Sequence, residues 1–177
     1  LGIIPARGQS KGIKDKNLLQ IEEKPLISYT VEKALESKHL NKIAISSDSE
    51  IILDTVRKLY DVDLVKRPDY FARDDSPIEE ALIHTLEILE REQEYKADIV
   101  VWMQPNVPIR KHGVIDTTIE NLLNYPDADS SVTCFEVTQI PESMKKMNEQ
   151  GRLVPLFDDV MSIRRQEFEK RYLLDGS

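Results

Sequence analysis

The chain has 177 residues, of which 40% are hydrophobic and 32% are charged, and its formal net charge at pH 7 is -8. This length suits one domain with a sizeable core, while the acidic balance argues against nucleic acid as a partner, because phosphate contacts need a broad basic surface. The only cysteine is Cys134, which excludes an internal disulfide and a cysteine-rich zinc site and is typical of a reducing cytoplasm.

Solid apolar runs alternate with helical patterns along the chain. The runs predict strands of a parallel sheet covered on both faces, at 1–6, 42–46, 62–65, 99–103 and 131–137. Between them, helices are predicted at 25–37, 48–60, 77–95 and 112–124. This β-α alternation predicts a three-layer, doubly wound α/β domain with a mostly parallel sheet, in which ligands bind at the carboxyl ends of the strands.

Two of the predicted helices begin with the pattern of a capping box, in which a serine is followed three residues later by a glutamate. The pattern is S-D-S-E at 47–50 and S-P-I-E at 76–79, and in the second a proline stands at the expected first helical position. We therefore expect Ser47 and Ser76 to cap the helices that follow them.

Residues 138–172 interrupt the alternation. They carry many charges and little periodicity, so we interpret them as an excursion from the sheet within a single domain spanning 1–177. The chain starts inside an apolar run and finishes on the turn-like residues 175–177, so we expect the natural chain to continue at both ends. No apolar run reaches the length of a membrane span and no segment resembles a signal peptide, which argues against a membrane partner.

The loop after the first predicted strand is rich in cations for an acidic chain. Its sequence, RGQSKGIKDKN at 7–17, sets Arg7, Lys11, Lys14 and Lys16 against one acid and includes two glycines that allow sharp turns. The spacing fits neither GxxxxGK[ST] nor GxGxxG, which excludes a P-loop and a dinucleotide fingerprint. Cations concentrated at a strand end indicate a polyphosphate site, although composition alone favours a solvated surface loop equally.

The run IIPARGQSKGIKDKN resembles the nucleotide-binding loop of the acylneuraminate cytidylyltransferases, also called CMP-sialic acid synthetases, whose pattern is R-x-x-S-K-G-x-x-x-K-N. In that family the loop wraps the triphosphate of CTP. The resemblance implies that Arg7 and Lys16 are nucleotide-binding and catalytic residues that neutralise phosphate charge, and that Asn17 holds the ribose or phosphate end. Ser10 and Lys11 would shape and charge the loop. The implied fold is Rossmann-like, of the nucleotide-diphosphosugar transferase type.

The segment QPNVPIR at 104–110 resembles the family's Q-P-T-S-P-L-R, with Asn106 and Val107 in place of threonine and serine. Two prolines fix the backbone just beyond a predicted strand, so Gln104 is held at a rigid edge. Its amide both donates and accepts hydrogen bonds, and the resemblance assigns it to the acceptor sugar and to the catalytic centre. From the residues alone, a capped strand end is the alternative.

The segment KRPDYFARDDS at 66–76 resembles the family's R-P-x-x-L-A-x-D segment, which closes over the cytosine. The resemblance places Arg67 against the base and Ser76 where the family's backbone reads the base. For Ser76, helix capping and base recognition both stay open. Asp74 and Asp75 are interpreted as charges that complement the dipole of the next helix.

The segment SIRRQEFEKRYLLDGS at 162–177 resembles the family's R-R-Q-D, Y and N-G-A pattern. An arginine can grip a carboxylate with two hydrogen bonds, and sialic-type sugars carry a carboxylate. The resemblance assigns that group to Arg165 and to a lysine best aligned as Lys145, with Lys146 one residue away. Asp175, which replaces an asparagine, falls in the same sugar site. The alternative is a charged helix face.

Chemistry on CTP implies Mg²⁺, which the family holds with a D-x-D pair. The sequence does not contain that stretch, so we assign no metal ligand and expect the ligands beyond Ser177. The family is usually dimeric, with an excursion that reaches the partner's site. Residues 138–172 fit that description in place and length, so the resemblance implies a homodimer with this segment as the dimerisation insertion.

These resemblances together imply a cytoplasmic cytidylyltransferase that converts CTP and a nine-carbon α-keto acid sugar into a CMP-sugar and pyrophosphate. Sialic, legionaminic and pseudaminic acids all stay open as the substrate. A non-catalytic nucleotide- or sugar-binding protein of the same fold is one alternative, for which Glu167, Asp175 and the missing D-x-D pair leave room. A CMP-Kdo-type synthetase is another, against which the K-N pair at 16–17 argues.

The remaining candidate side chains predict no further chemistry. His39, His84 and His112 lie far apart in sequence without the spacing of metal ligands, and we expect His84 to be packed or solvated within a helix. Cys134 stands in an apolar β-run and is expected to lie in the core.

Overall fold

The structure is a computed structural model that describes residues 1–9, 12–73, 75–139, 141–157 and 169–176. It divides into two units, Leu1–Ser131 with Gly176–Ser177 and Val132–Asp175. The second unit contains the excursion predicted at 138–172. The role of that segment in dimerisation stays a prediction, as does the interpretation of 1–177 as a single domain.

The helices and strands follow one another in the predicted alternation until the second unit begins. In chain order they are β1 (Gly2–Pro5), β2 (Gln20–Ile21), β3 (Lys24–Pro25), α1 (Leu26–Leu35), β4 (Ile43–Ser47), α2 (Glu50–Leu59), β5 (Asp63–Lys66), α3 (Ile78–Gln93), β6 (Val101–Trp102), α4 (Val114–Asn124), β7 (Cys134–Glu136), β8 (Lys145–Met147), β9 (Leu153–Pro155) and β10 (Tyr172–Leu174). Short 3-10 turns lie at Lys16–Leu18, Asp69–Ala72 and Pro141–Ser143.

The first unit is built on a parallel sheet of four strands in the order β5-β4-β1-β6. Gly2 pairs with Ile43 on one side and with Val101 on the other, so the strands run in the same direction from a common edge. Their carboxyl ends therefore also meet at one edge of the sheet. Three of the predicted functional segments, which follow β1, β5 and β6, leave the sheet at that edge.

Helices cover both faces of this sheet because its central strands are apolar on both sides. Ile3 and Ala44 point to one face and pack with Leu89 of α3. Ile4 and Ile45 point to the other face, where the buried side chains come mainly from α1, α2 and α4. Burying one such side chain fully stabilises the fold by roughly 1.5–3 kcal/mol. The predicted three-layer α/β architecture is confirmed. No helix among the described residues is long and apolar enough to cross a membrane.

Both predicted helix caps are wrong in detail. Strand β4 continues through Ser47, which pairs with Lys66, so Ser47 cannot start a helix. The cap of α2 is Ser49, whose side chain accepts a hydrogen bond from the Ile52 amide. Before α3, the Ser76 hydroxyl instead donates to the carbonyl of Tyr70, 2.5 Å away. Proline directly before α3 leaves that helix without a side-chain cap.

The second unit consists of antiparallel pairs. Strands β8 and β9 form one pair, in which Lys145 lies opposite Pro155. Strands β7 and β10 form the other, so the prediction that 131–137 adds a strand to the parallel sheet is wrong. The prediction that Cys134 is a core residue is also wrong: it is exposed, because all of β7 and β10 is exposed.

Candidate nucleotide site

A cavity of about 270 Å³ opens at the carboxyl edge of the parallel sheet. Its walls come from the end of β1 and the loop after it, the residue after β5, the first residue of α3 and the segment that ends β6. Five residues that the sequence assigns to the site line it together: Arg7, Lys16, Asn17, Arg67 and Gln104. The parallel order of the strands explains this convergence, because segments far apart in sequence leave neighbouring strands at the same edge.

Asn17, at the end of the cationic loop, forms a hydrogen bond with Arg7 at its start. The side-chain amide nitrogen donates to the carbonyl of Arg7, 3.0 Å away, and the residue is 3% exposed. Its side-chain oxygen is buried and accepts no hydrogen bond from the described residues. A buried acceptor without a donor is unfavourable, so this oxygen is a local cost of the way the loop is closed.

Gly8 is packed against the turn between β4 and α2. Its amide donates to a carboxylate oxygen of Asp48 at 2.9 Å. A Cβ atom at this position would lie 2.7 Å from the Cβ of Ser49, so only glycine fits here without a shift of the backbone. The first turn of the loop is therefore fixed by close packing as well as by a hydrogen bond.

Arg67 carries a buried positive charge at the base of the cavity. The side chain is 3% exposed and its guanidinium lies 3.7 Å from a carboxylate oxygen of Asp48. Burial lowers the pKa of Arg67 below its ordinary value, the Asp48 carboxylate opposes this, and the nearby charge of Arg7 adds to the lowering. The backbone amide of Arg67 also donates to the backbone carbonyl of Ser47 at the end of β4. Arg67 is therefore fixed through its backbone as well as through its side chain.

Gln104 is positioned by a second buried arginine. Arg110 is 5% exposed and donates to the carbonyls of Gln104 and Val107 at 2.7 and 2.6 Å. It also donates to the hydroxyl of Thr30 on α1. Arg110 matches the family pattern, but the sequence did not indicate that it organises the backbone of this segment.

Other predicted site residues do not line this cavity or lie outside the described residues. Ser76 makes the contact with Tyr70 given above and is not among the residues that line the cavity. Lys145 begins β8 and Asp175 follows β10 in the second unit, and their sugar-binding roles stay predictions. Ser10, Lys11 and Arg165 lie outside the described residues.

Three residues of this region were missed by the sequence reasoning. Trp102 and Ile78 give the cavity an apolar wall, and Asp48 anchors two of its segments. Position could have indicated Trp102, since it ends a strand at the ligand-binding edge. Asp48 also follows a strand at that edge, but its place within an apparent capping box concealed this.

The profile of the cytidylyltransferase family matches residues 1–156. The chain belongs to this family. It is 29% identical over 177 residues to the N-acylneuraminate cytidylyltransferase of Streptococcus agalactiae, covering 99% of this chain and 41% of that protein. It is 31% identical over 165 residues to the CMP-N,N'-diacetyllegionaminic acid synthase of Legionella pneumophila, covering 90% of this chain and 68% of that protein. The resemblance found in the sequence is thus confirmed.

A solved structure shares the fold of this cytidylyltransferase chain. It is a CMP:2-keto-3-deoxy-manno-octonic acid synthetase complexed with CTP, with a TM-score of 0.66 and 20% sequence identity. The match covers 78% of this chain and 53% of that one. The chain spans about two fifths of the length of the streptococcal relative, at 41%.

Proposed function

We propose that the protein is a cytidylyltransferase that joins CTP to a nine-carbon α-keto acid sugar, giving a CMP-sugar and pyrophosphate. The observation that carries the proposal is the convergence of Arg7, Lys16 and Asn17 on one cavity. Membership of the family supports the use of CTP. Relatives named for acylneuraminic and legionaminic acids support the class of sugar.

The loop after β1 would serve the triphosphate. Arg7 and Lys16 supply positive charge from a loop whose two ends are already fixed, by Asn17 and by the packing of Gly8. Nucleotidyl transfer depends mainly on positioning and on charge stabilisation that is in place before the reaction. Asn17, which lines the same cavity, would hold the ribose or phosphate end of the nucleotide.

The segment after β6 would serve the acceptor sugar. Because Arg110 holds the backbone on which Gln104 stands, the Gln104 amide would meet a sugar hydroxyl with little loss of conformational freedom. The sugar's anomeric oxygen would attack the α-phosphorus and lose its proton to solvent. The bond from that phosphorus to the oxygen bridging to the β-phosphate would break, and pyrophosphate would leave. Arg165 and Lys145 remain the proposed partners of the sugar carboxylate.

We also propose Mg²⁺ as the cofactor, because it would offset the charge of the triphosphate. The described part of the chain contains no group of three or more His, Cys, Asp or Glu side chains that could hold a metal ion. We assign no metal ligand among these residues and no step of the reaction to the metal.

A homodimer in the cytoplasm is proposed as the working state. The second unit exposes large apolar side chains on both of its strand pairs, and such surfaces commonly mark protein interfaces. They are Phe135, Met147, Leu153, Tyr172 and Leu174. Sedimentation of the intact protein would test this state, and a monomer at micromolar concentration would contradict it.

Pyrophosphate release tests the proposed function. The intact protein with CTP and Mg²⁺ should release pyrophosphate with at least one of N-acetylneuraminic, legionaminic and pseudaminic acids, and CTP should raise its melting temperature more than ATP or GTP. Pyrophosphate release with Kdo as the only active sugar acid would indicate a CMP-Kdo-type synthetase. Protection by CTP without release from any acid would indicate a non-catalytic nucleotide-binding protein.

A further inference from the structure

Asp48 occupies a distinctive place in the sheet. It follows β4, which lies between β1 and β5. Its Oδ1 oxygen accepts the hydrogen bond of the Gly8 amide at 2.9 Å and lies 3.7 Å from the Arg67 guanidinium. One carboxylate oxygen thus contacts the segments that follow both neighbouring strands, the cationic loop after β1 and the Arg67 segment after β5.

Asp48 and Arg67 are both largely shielded from solvent, so losing their contact should be costly. The Asp48 side chain is 15% exposed and that of Arg67 is 3% exposed. Removing one partner of a buried ion pair leaves an uncompensated charge, which is strongly unfavourable. Gly8 also packs closely against Ser49, since an added Cβ would lie 2.7 Å from the Cβ of that residue.

We propose that Asp48 is a positioning residue for CTP, which fixes the loop backbone at Gly8 and neutralises Arg67. Arg7 and Lys16, which line the cavity, would face the triphosphate, and Arg67, held against Asp48, would be presented to the base. The proposal rests on the proposed function, since it specifies how the same site holds its nucleotide.

The direction in which CTP affinity changes distinguishes a positioning carboxylate from one that only adds negative charge near the site. A carboxylate near a triphosphate repels it, so removing a carboxylate that does nothing else should strengthen CTP binding. Removing a positioning carboxylate should weaken CTP binding, because the loop and Arg67 lose their fixed places.

The experiment compares Asp48→Asn and Asp48→Ala with Glu50→Gln in the intact protein, by calorimetric titration with CTP and by steady-state kinetics. Asparagine keeps an acceptor for the Gly8 amide but not the charge, whereas alanine removes both. Glu50→Gln makes the same charge change two residues away, at an exposed side chain 3.5 Å from Lys66. We expect Asp48→Ala to weaken CTP binding by about tenfold or more, Asp48→Asn to fall between it and wild type, and Glu50→Gln to stay within about twofold of wild type.

A purely structural role would not produce the kinetic pattern that we expect. Both Asp48 variants should raise the KM for CTP while the KM for the sugar acid stays unchanged. Should Asp48→Ala fail to fold, Asp48→Ala with Arg67→Met is compared with Arg67→Met alone, which removes the unpaired buried charge. The double variant should bind CTP more weakly than Arg67→Met, because the Gly8 contact is still lost.

The proposal is overturned if the Asp48 variants bind CTP as tightly as wild type or more tightly, or if the double variant matches Arg67→Met. It is also overturned if both KM values rise together. Failure of the wild-type protein to bind CTP would overturn the proposed function itself. Binding by wild type that the Asp48 variants share unchanged would overturn this inference alone.

Discussion

Replacing Lys16 with alanine should remove most of the activity with CTP, whereas the same replacement of Lys14 should not. Lys16 is half-buried and lines the cavity, while Lys14 lies two residues earlier on the same loop and is exposed. A hydrogen bond to a charged group is worth roughly 1.5–3 kcal/mol, and each 1.4 kcal/mol corresponds to about tenfold in kcat/KM. We therefore expect Lys16→Ala to lower kcat/KM for CTP by about tenfold to a hundredfold.

The assay is pyrophosphate release at varied CTP and saturating sugar acid, with unliganded melting temperatures measured beside it. Both variants remove one positive charge from one loop, so a general loss of electrostatic attraction would affect them alike. Partly exposed cations contribute little to folding, so neither melting temperature should change. Equal activity of the two variants, or a loss for Lys16→Ala that tracks a fall in its melting temperature, would refute the assignment of Lys16 to the triphosphate.

Three further predictions follow from the packing of the first unit. Gly8→Ala should lower both the melting temperature and the CTP affinity, because an added Cβ would lie 2.7 Å from another atom. Gly12→Ala should change neither quantity, because an added Cβ there meets no atom within 4 Å. Calorimetry with both variants checks this. Arg110→Ala should lower the melting temperature and raise the KM for the sugar acid more than that for CTP, since it frees the backbone of Gln104, and an unchanged sugar KM would count against Gln104 as a sugar ligand. Burial lowers the pKa of His84 below 6.5, so the unfolded chain binds this proton more readily and stability should fall as pH drops from about 6.5 through the folded pKa. Between pH 5 and 7 the melting temperature of His84→Leu should change less with pH than that of wild type. The same pH dependence in both proteins would contradict a lowered pKa of His84.

The sequence was sufficient to predict the four strands of the parallel sheet, which depend on local patterns, and half of the residues that line the cavity, which the resemblance to the family indicated. Solid apolar runs predict parallel strands, and parallel strands bring the segments after them to one edge. Arg7, Arg67 and Gln104 could therefore be expected together although they are up to 97 residues apart in sequence. The helix bounds were also close, since amphipathic spacing is a local property.

Pairings between distant segments could not be predicted in this way. Nothing in the run at 131–137 indicates that its partner is Tyr172–Leu174, and an apolar run looks alike in a buried parallel sheet and in an exposed antiparallel pair. Asp48 was missed for a related reason. Its hydrogen-bond partner, the Gly8 amide, is 40 residues away, while the local pattern around it matched a helix cap.

The buried guanidinium of Arg110 has a consequence for how acceptor preference could change. It contacts the segment through main-chain carbonyls, of Gln104 and Val107, which are present whatever side chains the segment carries. These contacts do not involve the side chains at 106 and 107, which are two of the positions where the segment departs from the family pattern. Asn106 lines the cavity, so new side chains could be exchanged at that position as on a fixed template. In the proposed function this wall meets the acceptor sugar, so a substitution at Asn106 should alter acceptor specificity while the contacts of Arg110 with the backbone stay in place.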